Sequence, residues 1–134
     1  MKTLHYVIGG LDKGNLDNGL NLLKEFLELF PNSQRIETSY NPKTFTRRGF
    51  GLHIHKHEDY HNQDFSIRTY RKFEERKIGR ENKSIVSYLE LLVFGQEETL
   101  DRKKVDIDGL LSRYNADGNL SIELKTYPSV RQQP

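Results

Sequence analysis

An alternation of apolar and polar residues in the middle of the chain is the feature that most restricts its fold. In "FGLHIHKH" the apolar side chains Phe50, Leu52 and Ile54 alternate with glycine and histidine, and "DFSIRTYRKF" at 64–73 repeats the pattern. Such alternation predicts β-strands with one buried face, because successive side chains of a strand point to opposite sides. The polar residues 58–63, "EDYHNQ", predict a hairpin loop between the two strands. Two neighbouring strands of an antiparallel sheet are therefore expected.

The segment before this pair predicts the clearest helix of the chain. Apolar residues recur at helical spacing in "NLDNGLNLLKEFLELFPN", at Leu16, Leu20, Leu23, Leu27 and Phe30. This periodicity predicts a helix over 16–30 that buries these side chains and ends before the proline that follows.

The remaining segments predict further strands and a second helical stretch. Short apolar or alternating runs predict strands at 3–10, 33–40 and 120–127. A short helical turn is predicted at 106–114. Residues 84–95, "SIVSYLELLVFG", are apolar enough for a buried strand or a helix, and we slightly favour helix.

Length and composition favour one small domain. The chain has 134 residues and no cysteine, with seven Phe and seven Tyr to fill a core. Strands followed and interrupted by helices predict an α+β fold, with one antiparallel sheet and helices packed on one face. We expect a single domain over 1–128 and a flexible tail over 129–134. No apolar run approaches a membrane span or a secretory signal, so we expect a cytoplasmic protein with no membrane partner. We also expect no cofactor.

The positive charge of the chain is concentrated in its middle third. Residues 35–83 carry twelve basic and seven acidic side chains, a net charge of +5, whereas the whole chain carries +2. Four of the five histidines lie here as well, and they add positive charge in mild acid. A polyanion is therefore the expected partner. The single alanine, together with many Asn and Lys residues, is typical of AT-rich genomes such as those of many phages.

The two central strands predict one cationic and aromatic surface. Three histidines emerge on the same face of the first strand, and the simplest hairpin registers place polar residues of the second strand beside them. Arginine and lysine neutralise phosphates, and planar rings stack on unpaired bases, so we expect nucleic acid, preferably single-stranded, or a phosphorylated ligand. The expected binding residues are Arg47, Arg48, His53, His55, His57, Arg68, Tyr70, Arg71 and Lys72. A host protein as partner and an ordinary solvated sheet face are the alternatives.

Two short motifs resemble known nucleic-acid proteins. "RGFG" at 48–51 and "YVIGGL" at 6–11 are similar to the two RNP elements of RNA-recognition-motif domains. In that register His53 and His55 would point into the core, which contradicts the hydrophobic alternation, so the chain is not assigned to this family.

"HIH" at 53–55 is similar to the His-hydrophobic-His strand of the HUH endonucleases. The resemblance implies that His53 and His55 hold a divalent metal, which polarises a phosphate for attack by a tyrosine. Tyr88 is the expected nucleophile, with Tyr70 or Tyr60 as substitutes. The chain departs from the family pattern at Lys56 and His57, where apolar residues are expected. Catalysis is therefore the alternative to binding alone.

Overall fold

The computed structural model describes residues 1–14, 16–41 and 53–125, and within them the side chains except those of 37–41, 53, 54 and 78. The elements follow in the order β1 (Lys2–Gly9), a short 3-10 helix (Leu11–Lys13), α1 (Asn18–Glu28), β2 (Gln34–Asn41), β3 (His53–His61), β4 (Phe65–Ile78), β5 (Glu81–Gly95), α2 (Glu97–Tyr114) and β6 (Ser121–Lys125). The six described strands form one antiparallel sheet in the order β2-β3-β4-β5-β1-β6. This is the predicted α+β architecture.

Both described α-helices pack on one side of the sheet, which we call the inner face. α1 packs against β5, and α2 packs against β1, β5 and α1. The side chains of Leu4, Tyr6 and Ile8 alternate toward these helices and are buried. The Tyr6 hydroxyl donates a hydrogen bond to Asp108 of α2 at 2.8 Å, so a buried polar group is satisfied at the seam between sheet and helix. The opposite side of the sheet is called the outer face.

The helix α1 was predicted correctly, and its buried side was predicted in part. The core receives Leu23 and Phe30 of the predicted apolar stripe, with Leu27 packed against it, and it also receives Leu22 and Phe26, whereas Leu20 is 39% exposed. The orientation of α1 follows from the position of Gly19. This residue faces Val86 of β5 so closely that a Cβ atom on it would lie 2.5 Å from the Val86 Cβ. The helix therefore turns the side that carries Gly19 toward the sheet, and this orientation brings Phe26 into the core.

Residues 84–95 form a strand, so the helix favoured by the sequence is wrong. They belong to β5, which lies between β4 and β1 in the sheet. Leu89, Leu91 and Val93 point to the inner face and are fully buried, while Tyr88 and Glu90 point to the outer face. Central strands carry apolar residues on much of their length, which is why the period of two was masked in this segment.

Two predicted boundaries also move. β3 continues through most of the predicted loop to His61, and the turn is confined to 62–64, where the Asn62 side chain accepts hydrogen bonds from the backbone N–H groups of Asp64 and Phe65. Because the Asn62 side chain satisfies these two backbone groups, the turn is shorter than the predicted loop. The predicted helical turn at 106–114 is the second half of the 18-residue helix α2. No helix among the described residues is long and apolar enough to span a lipid bilayer.

Candidate functional site

The outer face brings together six of the predicted residues in a regular grid. In the strand register, His55 pairs with Lys72 and Lys72 with Tyr88, and in the next row His57 pairs with Tyr70 and Tyr70 with Glu90. Arg68 lies opposite Asp59 in the row beyond. These side chains share one face because each pair is directly opposite and alternate residues point the same way. We call the following set the outer patch: His55, His57, Asp59, Arg68, Tyr70, Lys72, Tyr88 and Glu90.

A β-bulge in β5 sets the side-chain directions at one edge of the outer patch. Lys72 pairs with Tyr88, but the next residue, Phe73, pairs with Val86, so Ser87 is the extra residue. The Ser87 hydroxyl donates to the Lys72 carbonyl at 3.3 Å. Without the bulge, Tyr88 would share a face with the buried Val86. The bulge therefore brings Tyr88 onto the outer face.

A stacked pair of rings lies at the centre of the outer patch. The His57 imidazole and the Tyr70 phenol have centroids 4.6 Å apart and planes inclined by 21°. His57 is also anchored on its other side, because its Nε2 lies 2.9 Å from the Asp59 carboxylate. The His57 ring is therefore held in place against the Tyr70 ring.

Asp59 also organises the charge next to the stack. Its Oδ1 accepts a hydrogen bond from Arg68 Nε at 2.9 Å in addition to the contact with His57. Partial burial opposes ionisation of Asp59, but the hydrogen bonds from Arg68 and His57 outweigh it and lower the pKa of this carboxyl below its ordinary value. Asp59 is thus ionised at neutral pH, and the charge of Arg68 is largely compensated.

An open hollow of about 530 Å³ lies along the outer patch, and its lining includes His55, Tyr70, Lys72, Tyr88 and Glu90. The Lys72 side-chain amine has no ion-pair or hydrogen-bond partner among the residues that the structure describes. Burial and the neighbouring Glu90 carboxylate raise the pKa of the Tyr88 phenol to about 12. The hollow therefore combines the amine of Lys72 with the carboxyl group of Glu90 and two phenol rings, and the carboxyl side chains of Asp12 and Glu74 also line it.

Glu90 contacts a histidine of the adjacent strand β1. The Nε2 atom of His5 lies 2.9 Å from Glu90 Oε1, and His5 is only 7% exposed. A carboxylate can only accept hydrogen bonds, so the histidine is the donor in this pair. One oxygen of Glu90 is fixed in this way, and the carboxylate is oriented within the hollow.

Arg71 does not belong to the outer patch, although the sequence analysis placed it there. It follows the strand alternation to the inner face, together with Thr69, and forms an ion pair with Glu58. Glu58 is 4% exposed and also accepts hydrogen bonds from Tyr60 and, at 3.0 Å, from Lys56. Burial opposes ionisation of Glu58, but these donors and the Arg71 charge hold its pKa below the ordinary value.

Three of the predicted residues lie partly or wholly outside the residues that the structure describes. Arg47 and Arg48 lie outside the described residues, and so does the side chain of His53. The predicted metal pair of His53 and His55 therefore stays a prediction. Within the described parts of the chain, no three His, Asp or Glu side chains come together in a group that could hold a metal ion.

Asp59, Glu90 and His5 were not singled out by sequence reasoning. A signal was present for Glu90, because it is the one charged residue in the apolar segment "SIVSYLELLVFG". That signal acquires meaning only when the segment is known to be a central strand. His5 and Asp59 carry no comparable signal, because their roles depend on cross-strand neighbours.

No protein-family model matches this chain, and no curated protein or solved structure matches it either. Its function must therefore be inferred from the geometry and chemistry of the outer patch.

Proposed function

We propose that this protein binds single-stranded nucleic acid through the outer patch. The observation that carries the proposal is the stacked pair of His57 and Tyr70 beside an open hollow that contains Lys72. Aromatic rings on a sheet face bind unpaired bases by stacking, and a neighbouring ammonium group neutralises a phosphate. Because both described α-helices pack on the inner face, the rings lie on the side of the sheet that faces away from them.

The orientation of the rings supports stacking by a ligand. Asp59 fixes the imidazole of His57, which in turn lies against the Tyr70 ring. Little side-chain freedom then remains to be lost when a base packs against the pair, so the entropic cost of binding is small.

The distribution of charge favours single strands over a duplex. Lys72 and Arg68 supply positive charge, but Asp59 and Glu90 lie among them, so the outer patch is a mixed surface. A duplex is held chiefly through its two phosphate backbones and needs a continuous cationic surface. An unpaired strand presents base faces and base edges as well, and these match rings and carboxylates.

The salt dependence of binding tests this proposal. Affinity for a labelled single-stranded oligonucleotide, measured by fluorescence anisotropy, should fall as salt is added. The variant Lys72→Met should bind more weakly, and the slope of log affinity against log salt should become shallower by about 0.7, the value for one phosphate contact on a single strand.

The matched control is Lys24→Met, which removes an exposed lysine of α1 and should leave both affinity and slope unchanged. Tighter binding to a duplex than to the single strand, or equal slopes in the wild type and Lys72→Met, would contradict the proposal.

One observation keeps a divalent-metal, tyrosine-dependent endonuclease as a second candidate. Tyr88, the tyrosine proposed as nucleophile, lines the same hollow as His55. Its raised pKa of about 12 means that the phenol would need a metal or a base to lose its proton. Cleavage of the oligonucleotide in the presence of Mn²⁺, abolished by EDTA and by Tyr88→Phe, would establish this activity, and intact substrate would exclude it.

A further inference from the structure

Four side chains form a square at the floor of the hollow. Tyr70 lies directly opposite Glu90, and Lys72 lies directly opposite Tyr88, on the neighbouring strands β4 and β5. Phenols occupy one diagonal of this square, and the ammonium and carboxylate groups occupy the other. Directly opposite residues have Cβ atoms about 5 Å apart and diagonal ones about 7 Å apart, so a single planar ligand can contact all four.

The ring stack points toward Glu90. Its centroid distance of 4.6 Å nearly equals the spacing of adjacent strands, which is about 4.8 Å, so the stack runs across the strands from β3 through β4 toward β5. His57 covers one face of the Tyr70 ring, and Glu90 is the next residue in the same row. A third ring added to the stack would therefore lie above Glu90, with one edge directed at the carboxylate.

From this arrangement we infer that the square reads guanine in a single strand, an inference that rests on the proposed function. Guanine places N1–H and the 2-amino group side by side, so both can donate to one carboxylate. Adenine and cytosine present one amino group next to a ring nitrogen that is an acceptor, and thymine and uracil flank their single N–H with two carbonyl oxygens. A carboxylate has no hydrogen to donate to these acceptors, so the other bases match Glu90 less well.

His5 and Lys72 complete the recognition. His5 fixes Oε1 of Glu90 from the adjacent strand, the Tyr88 phenol interacts with the same carboxylate, and further lone pairs remain for the base. The side-chain amine of Lys72 lies diagonal to Glu90, has no partner among the described residues, and is placed for the phosphate of the same nucleotide. The square thus offers a separate group to the face, the edge and the phosphate of one guanosine nucleotide.

The experiment measures the binding of short oligothymidylates in which one central nucleotide is thymine, guanine, adenine, cytosine or hypoxanthine. We expect the guanine oligonucleotide to bind on the order of tenfold tighter than the others, as is typical of a two-donor contact to a base. Hypoxanthine keeps N1–H but lacks the 2-amino group, so it should lose most of this advantage.

Glu90→Gln should remove the guanine preference, so that this variant binds all five oligonucleotides with similar affinity. Glu98→Gln, an exposed carboxylate on α2, is the matched control and should retain the preference. The hypoxanthine comparison needs only the wild-type protein, so it decides the inference even if Glu90→Gln does not fold.

Two results separate this inference from the proposed function. Measurable but equal binding to all five oligonucleotides, or a guanine preference that survives in Glu90→Gln, would overturn the guanine inference and leave single-strand binding intact. No binding to any of them would overturn both.

Discussion

Glu58 and Asp59 are neighbours in β3, yet their carboxylates lie on opposite faces of the sheet and meet different partners. Glu58 is buried on the inner face with Arg71, whereas Asp59 joins the outer patch through Arg68 and His57. The pKa of each carboxyl is lowered, and the two carboxylates have different roles. Asp59 orients the stacked ring, and Glu58 compensates a cation that the core face would otherwise leave unpaired.

Glu58→Gln is predicted to lower the free energy of unfolding by about 2 to 3 kcal/mol at neutral pH, because it leaves Arg71 without its charged partner. The effect should depend on pH. A carboxyl whose folded pKa is depressed stabilises the protein above its unfolded pKa, 4.5 for Glu58, and loses that contribution as the pH falls through the folded value.

Denaturant titrations across this acidic range measure the effect. The wild type should lose stability as the pH drops below about 4.5, and Glu58→Gln should lose less, with Asp59 providing the remaining dependence. Glu98→Gln should resemble the wild type within about 0.5 kcal/mol. Identical pH profiles for the wild type and Glu58→Gln would show that the ion pair does not contribute to stability.

At the scale of elements, close packing between α1 and β5 decides which side of the helix is buried. Gly19 faces Val86, and its lack of a side chain lets Phe26 and Leu22 reach the core. The apolar spacing in the sequence indicated the helix, but several stripes of that helix are apolar, and only the contact with the sheet selects one of them. The bulge at Ser87 is a comparable case, because it arises from the pairing of two strands.

Two glycine substitutions are predicted to change stability in opposite directions. Gly19→Ala should destabilise the protein by about 1 to 3 kcal/mol, because the new methyl group would overlap Val86. Gly109→Ala, in the interior of α2 with no atom within 4 Å of the new methyl group, should stabilise it by about 0.5 to 1 kcal/mol. Thermal unfolding of both variants provides the test, and equal shifts would contradict the packing that we describe.

At the scale of the whole molecule, the sequence predicts the parts that depend on local periodicity. The fold class, the helix α1 and the common face of His55 and His57 follow from periods of 3.6 and 2. Alternation also places Arg71 on the inner face, a consequence that the sequence analysis overlooked when it grouped residues by charge. Sheet order, the nature of β5 and the contact of His5 with Glu90 depend on long-range pairing, and local patterns carry little information about it.

The most direct test of the central claim is the affinity of Tyr70→Ala for a single-stranded oligonucleotide, measured beside Tyr70→Phe. Stacking requires the ring and not its hydroxyl, so Tyr70→Phe should bind like the wild type, whereas Tyr70→Ala should lose about 1 to 3 kcal/mol of binding free energy. Circular dichroism should show that both variants remain folded, because Tyr70 lies on the outer face. Binding by folded Tyr70→Ala with wild-type affinity, or no binding by the wild type, would contradict the assignment of the outer patch as a surface for unpaired bases.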